Sequence, residues 1–135
     1  MSAFVWESRV YWEDTDGGGI VYYANYLKYL ERARTEWLRA KGHSQSGLAR
    51  DPGVLFTVVN VNISYLRPAR LDDMLAVTCE PAASGRAGVR FLQRIRRGQE
   101  LLVDADVRVA CLDAATFRPV RLPAFLIAEL SAETA

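Results

Sequence analysis

The residues best able to do chemistry are concentrated in one segment, Arg9-Val10-Tyr11-Trp12-Glu13-Asp14-Thr15-Asp16-Gly17-Gly18-Gly19-Ile20-Val21-Tyr22-Tyr23-Ala24-Asn25-Tyr26. A strand-like stretch delivers a carboxylate, Asp16, to a glycine run, and the run opens directly into a helical pattern. A helix N-terminus offers backbone N–H groups without intrahelical partners and the positive end of the helix dipole. Such groups hold the negative charge that develops on a carbonyl oxygen under attack. An aspartate at its ordinary pKa of about 3.9 is ionised at neutral pH and serves as base or nucleophile. Together they form a minimal acyl-transfer site that calls for no histidine, metal or organic cofactor. The alternative for Asp16 is a turn residue capping its own loop. Asp14 reads as a solvated loop charge. Gly17 to Gly19 look like a phosphate loop but lack the Lys-Ser/Thr that should follow.

These groups must be positioned by the elements around them. Phe4 to Trp12 alternates, with Phe4, Trp6, Val10 and Trp12 on one register, and predicts a strand. From Tyr22 to Ala40 the period becomes helical. Tyr26, Leu27, Leu30, Ala33, Trp37 and Leu38 form the apolar stripe, with Lys28, Glu31, Arg32, Glu36 and Arg39 opposite. Asn25 suits the N-cap and Gly42 the C-terminal cap. Four strands follow, at Val54–Leu66, Met74–Ala82, Val89–Arg96 and Leu101–Leu112. They are separated by turn signals at Asp72-Asp73, Ser84-Gly85 and Arg97-Gly98. Short connections make them antiparallel. In the first of the four, Val59, Val61, Ile63 and Tyr65 face one way and Asn60, Asn62 and Ser64 the other. Pro123 to Ala132 predicts a short terminal helix. The expected class is α+β, one long helix covered by a five-stranded antiparallel sheet, with residues 1–135 as one domain.

Composition narrows the function. Lys and Arg number 17 and Asp and Glu 16, for a net charge of +1, which gives no global case for nucleic acid. Cys79 and Cys111, widely spaced inside strands, read as buried thiols of a reducing compartment. Met1 to Arg9 carries no basic leader or long apolar run, and no stretch approaches a membrane span. A cytoplasmic protein is expected. His43, the one histidine, follows Gly42 in a loop without a Gly-x-Ser-x-Gly partner, so a serine triad is not expected. Glu31 with Arg34 or Thr35 reads as an ion pair on the helix. Asp14-Thr15-Asp16, with Asp72-Asp73, has a superficial likeness to magnesium phosphatases. That chemistry needs a parallel sheet with alternating helices, which the pattern does not provide.

The first segment resembles the active-site signature of the 4-hydroxybenzoyl-CoA thioesterase family, with Arg9-Val10, Thr15-Asp16 and Gly19-Ile20 in register. Val21 to Tyr26, the run YLERARTE from Tyr29 to Glu36, Tyr65 to Arg70 and Cys111-Leu112-Asp113 are similar to the subgroup associated with the Tol–Pal gene cluster. The resemblance implies a hotdog fold, acyl-CoA as substrate, and a homo-oligomer that is a dimer or a dimer of dimers (a homotetramer), with sites between protomers. It carries the catalytic aspartate onto Asp16 and the carbonyl-polarising backbone N–H onto Tyr23, where the subgroup commonly has His or Phe. A backbone role is indifferent to that change. The resemblance also adds, for Glu31 with Arg34 or Thr35, the reading of a second catalytic pair, because other hotdog enzymes place a Glu on the long helix. Gly19, Tyr22, Tyr26, Arg67 and Arg70 are the candidate substrate-binding residues. Tyr22 and Tyr26 suit an acyl pocket or plain core packing equally. Arg67, Arg70, Arg94 and Arg96 are either phosphate contacts or solvated charge. A non-catalytic module binding acyl-CoA, an acyl-carrier protein or another partner is the alternative.

Overall fold

The computed structural model describes residues 4–83 and 85–134. Strand β1 (Phe4–Arg9) is followed by two 3-10 turns, Trp12–Asp14 and Tyr23–Asn25, and then by helices α1 (Tyr26–Ala40) and α2 (Gln45–Arg50). Strands β2 (Val54–Tyr65), β3 (Met74–Ala83), β4 (Gly88–Arg97) and β5 (Glu100–Asp113) come next, and helix α3 (Ala124–Thr134) ends the chain. The five strands form one sheet in the order β1-β3-β4-β5-β2, every pair antiparallel. This is the expected α+β architecture, a hotdog fold.

Helix α1 lies on one face of the sheet because its apolar stripe has nowhere else to be buried. Tyr26, Tyr29, Leu30, Ala33, Trp37 and Leu38 are buried there, and Trp37 meets Phe91 of β4 edge-on with ring centroids 5.6 Å apart. The covering strands contribute Leu75, Val77, Ile95, Val103, Val107 and Cys111 at alternate positions. One polar group joins them. Gln93, fully buried, donates from Nε2 to the Leu30 carbonyl at 3.0 Å and to the Thr78 carbonyl at 3.3 Å. Its Oε1 accepts from Arg34 at 3.1 Å, so every polar atom it buries is satisfied. No helix among the described residues is long and apolar enough to cross a membrane.

Several boundaries differ from the sequence reading. Strand β1 stops at Arg9, and Trp12 stands exposed in the first 3-10 turn rather than on the apolar register. Helix α1 begins at Tyr26, not Tyr22. Asn25 has helical backbone angles, φ −71° and ψ −19°, and makes no capping bond. Tyr29 takes the buried place expected of Leu27, which is exposed. Helix α2 was not anticipated; its signal is Ser44, whose side chain accepts the Gly47 N–H at 3.0 Å as an N-cap. In β2 the register slips between Val58 and Asn60, which makes Val59 the extra residue of a bulge. Val61, Ile63 and Tyr65 still pair with the buried-face residues Val107, Ala105 and Val103, and Asn60, Asn62 and Ser64 lie on the outer face. Their exposure is high because β2 is an edge strand.

Candidate active site

The chain leaving β1 is held at once. Val10 is buried, donates its N–H to the Asp73 carbonyl at 2.8 Å and accepts the Asp72 N–H at 3.0 Å. The Trp12–Asp14 turn closes next, with the Asp14 N–H on the Tyr11 carbonyl at 3.0 Å. Asp14 is not a solvated charge. Its carboxylate is buried, and Oδ2 accepts the Tyr29 hydroxyl at 2.8 Å and the Tyr11 N–H at 2.9 Å. A carboxylate out of water requires such donors, and the side-chain one, Tyr29, lies in the first turn of α1 rather than beside Asp14 in sequence.

Beyond Asp14 the chain doubles back on itself. Thr15 bridges Val21, the Asp16 N–H donates to the Ile20 carbonyl at 2.8 Å, and the Gly19 N–H returns to the Asp16 carbonyl at 3.2 Å. Gly19 has φ +79°, a conformation that a side chain disfavours. Asp16 sits exposed at the head of this turn. Its Oδ1 accepts the Gly18 N–H at 2.7 Å, and among the described residues no donor reaches Oδ2. One oxygen is thus held and the other is open to solvent.

The returning arm is stapled to the segment after β2. Ile20 bridges Arg70, the Val21 N–H donates to the Ala69 carbonyl at 2.9 Å, and the Ala69 N–H donates to the Tyr26 hydroxyl at 3.0 Å. Tyr23 then opens the second 3-10 turn, so its own N–H has no acceptor within the helix. The rings of Tyr22, Tyr23, Tyr65, Tyr26 and Tyr29 succeed one another with centroids 5.0 to 6.5 Å apart. Tyr65 donates its hydroxyl to the Tyr23 carbonyl at 3.3 Å. Burial raises the phenol pKa of Tyr26, Tyr29 and Tyr65, and the hydrogen bond to Asp14 raises Tyr29 further. All three remain neutral donors at physiological pH. Tyr26 is a buried core ring, whereas Tyr22 and Tyr23 are exposed at the mouth of the site.

Asp16, Gly19, Tyr22, Tyr23, Tyr26 and Arg70 are therefore gathered at one junction. Arg67 is drawn away, its Nη1 lying 3.5 Å from Glu100. Arg97 ties Asp73 and Glu100 together, each at 2.6 Å, and its hydrogen bond holds the Glu100 carboxyl below the usual range. Among the described residues no carboxylate pairs with the Arg70 side chain; its backbone N–H donates to Asp73 Oδ2 at 2.8 Å. Arg94 pairs with Asp104 at 3.5 Å and lines, with Arg96, a polar groove of about 490 Å³ on the outer sheet face. Glu31 accepts the Thr35 hydroxyl at 2.9 Å, while Arg34 turns inward to Gln93. The antiparallel sheet and the engagement of Asp73 by Arg97 remove the phosphatase reading. Sequence reasoning missed the buried Asp14 and the Tyr65 hydrogen bond. Tyr29 was the available signal, because a tyrosine on a buried stripe needs a partner for its hydroxyl.

One long helix on a five-stranded antiparallel sheet, the hotdog scaffold, defines a class, and the chain belongs to it. The Thioesterase superfamily matches residues 18–104, beginning just past Asp16. The acyl-CoA thioester hydrolase YbgC of Escherichia coli O6:H1 is 43% identical over 93% of this chain and 94% of its own length. The acyl-CoA thioesterase YbgC of Haemophilus influenzae is 42% identical over 90% of each chain. Among solved structures, a probable thioesterase from Bartonella henselae superposes with a TM-score of 0.86 at 34% identity, covering 90% of this chain and 100% of the other.

The raised phenol of Tyr29 sets an alkaline limit on stability. The unfolded chain releases this proton near the ordinary value of about 10, before the folded chain does. The contribution is whole below about pH 10 and is lost as pH rises from there towards the folded value. Tyr29→Phe should flatten the decline of urea-unfolding stability between about pH 9 and 11. Equal slopes in the variant and the parent would contradict the assignment.

Proposed function

We propose that the chain hydrolyses acyl-CoA thioesters to a free acid and CoA, with Asp16 as the catalytic carboxylate and the Tyr23 N–H as oxyanion donor. The observation that supports this reading is the Thr15–Val21 bridge, which joins the residue before Asp16 to the residue before Tyr22 at the 3-10 turn. The kinship with YbgC hydrolases supports the substrate class. Two routes use the same geometry. In one, Asp16 takes a proton from water, and the hydroxide adds to the thioester carbonyl carbon. In the other, Asp16 itself adds, and water later cleaves the resulting anhydride. In both, the negative oxygen rests on the Tyr23 N–H, the C–S bond breaks, and the CoA thiolate is protonated. The acyl group is unassigned, and a hydrolysis screen of butyryl-, palmitoyl- and benzoyl-CoA is the direct way to find it.

We read residues 1–135 as one catalytic domain, cytoplasmic, in the subgroup associated with the Tol–Pal cluster. Cell fractionation tests the location, and the genes beside its own test the subgroup. The β2 edge supports a homo-oligomer, a dimer or a dimer of dimers. That edge is unpaired among the described residues and exposes Val58, Val59, Val61 and Tyr65, and the next residue, Leu66, is exposed beside it. Tyr65 touches Tyr23, so a partner across this edge would adjoin the site. CoA phosphates fall to arginines, Arg70 before Arg67, because Glu100 already engages Arg67. The alternative is a binding module for an acyl-carrier protein.

Asp16→Asn should lower kcat at least about a hundredfold with fold and oligomer intact. Near-parental turnover would remove Asp16 from the chemistry. In sedimentation the parent should run as a dimer or larger at micromolar concentration, and Val61→Lys should weaken that assembly. A parent that stays monomeric would exclude it. Raising ionic strength should raise KM for acyl-CoA and leave kcat nearly unchanged. Arg70→Ala should raise that KM more than Arg67→Ala does, without changing KM for the short N-acetylcysteamine thioester. Should neither arginine alter this preference, the acyl-carrier protein becomes the carrier to test.

A further inference from the structure

Two arms of the site meet at one atom, the carbonyl oxygen of Asp14. It accepts the Tyr22 N–H at 3.0 Å and Asn25 Nδ2 at 2.9 Å. The Asn25 backbone N–H donates in turn to the Tyr22 carbonyl at 2.8 Å. The Tyr23 amide therefore lies between two residues that are both tied to Asp14. Asp14 is itself held through its carboxylate by Tyr29 and Tyr11, and Thr15 alone separates it from Asp16. A capping asparagine has extended backbone and accepts an N–H of the first helical turn with its side-chain oxygen. Asn25 does neither. Its backbone is helical and its amide nitrogen reaches across to the preceding loop.

We infer that Asn25 is a positioning residue for hydrolysis: its side-chain amide fixes the Tyr23 N–H relative to Asp16. The inference rests on the roles of Asp16 and Tyr23 proposed above. Those two groups must address one carbonyl carbon at the same moment, one attacking or directing water and the other receiving the oxyanion. The Thr15–Val21 bridge and the Tyr22–Asp14 bond join this junction backbone to backbone, Tyr29 holds Asp14 by its carboxylate, and Tyr65 holds the Tyr23 carbonyl. Asn25 supplies the one side-chain bond from the helix opening to the Asp14 carbonyl. Losing it leaves the Asp14 carbonyl with the Tyr22 N–H alone, and the Tyr23 amide then shifts against the carboxylate arm within what the Tyr29–Asp14 and Tyr65–Tyr23 bonds allow. A displacement of about 1 Å between reacting groups costs about a hundredfold in rate.

The test uses Asn25→Ala and Asn25→Asp in the full chain, the second keeping the side-chain volume while removing both Nδ2 donors. Steady-state kinetics are measured with whichever of butyryl-, palmitoyl- or benzoyl-CoA the parent hydrolyses fastest, alongside thermal melting. The expected result is a fall in kcat of about 10- to 100-fold with KM within about twofold, because contacts to bound CoA are untouched. A role confined to stability would lower the melting temperature and leave kcat of the folded protein at the parental value. That result, or a rise in KM with kcat retained, would overturn the inference. If Asn25→Ala fails to fold, Asn25→Asp decides it on the same criteria. Asp16→Asn separates the two levels: turnover retained there sinks the underlying assignment. Loss of turnover there, with both Asn25 variants at parental kcat, sinks this inference alone.

Discussion

The rest of the site depends on a carboxylate buried where the helix begins. Asp14 is worth burying only with its donors in place, and these come from the Tyr29 hydroxyl and the Tyr11 N–H. Tyr29 belongs to the same buried stripe that seats α1 on the sheet. The packing of the helix and the placement of the loop are therefore one constraint. Once Asp14 is turned inward, the next residues have only the Thr15–Val21 hairpin to form, and Asp16 emerges at its head, exposed. Burial and exposure of two aspartates in one short segment follow from these two anchoring bonds.

A second polar clamp, at Gln93, orders the middle of the helix. Between Val77–Ile95 and Glu80–Leu92 the β3–β4 pairing is joined by side-chain bonds. Thr78 Oγ1 accepts the Arg94 N–H at 2.9 Å, and Gln93 Nε2 reaches both the Thr78 carbonyl and the helix carbonyl of Leu30. Arg34 completes the set, and burial lowers its guanidinium from the ordinary value while leaving it charged at neutral pH. Apolar contact seats the helix, and directional bonds from Asp14 and Gln93 fix its rotation and height on the sheet.

Ion pairs do a different kind of work at the surface. Arg97 joins Asp73, Glu100 and the Pro68 carbonyl, so the segment after β2 is fastened to the β4–β5 hairpin. That segment carries Ala69 and Arg70, which hold the returning arm of the glycine turn. The same network engages Arg67 and leaves Arg70 without a carboxylate among the described residues. Local pairing thus sorts chemically identical side chains into structural and available ones.

The α+β class, the long helix, the four consecutive strands and their turns could be read from the sequence, because periodicity and turn chemistry act over a few residues. The Asp16 segment stood out for the same reason, since carboxylate, glycines and helix opening are contiguous. What needed the tertiary structure was every feature whose cause lies far along the chain. Strand order and the edge position of β2 follow from pairing between distant segments. The loop charge expected at Asp14 became a buried anchor through Tyr29. The cap expected at Asn25 became a cross-brace because Asp14 offered its carbonyl, and Arg67 lost its expected freedom to Glu100. Residue type decides which bonds a side chain is able to make. Which one it makes depends on what the fold brings within about 3 Å, a distance that sequence spacing does not encode.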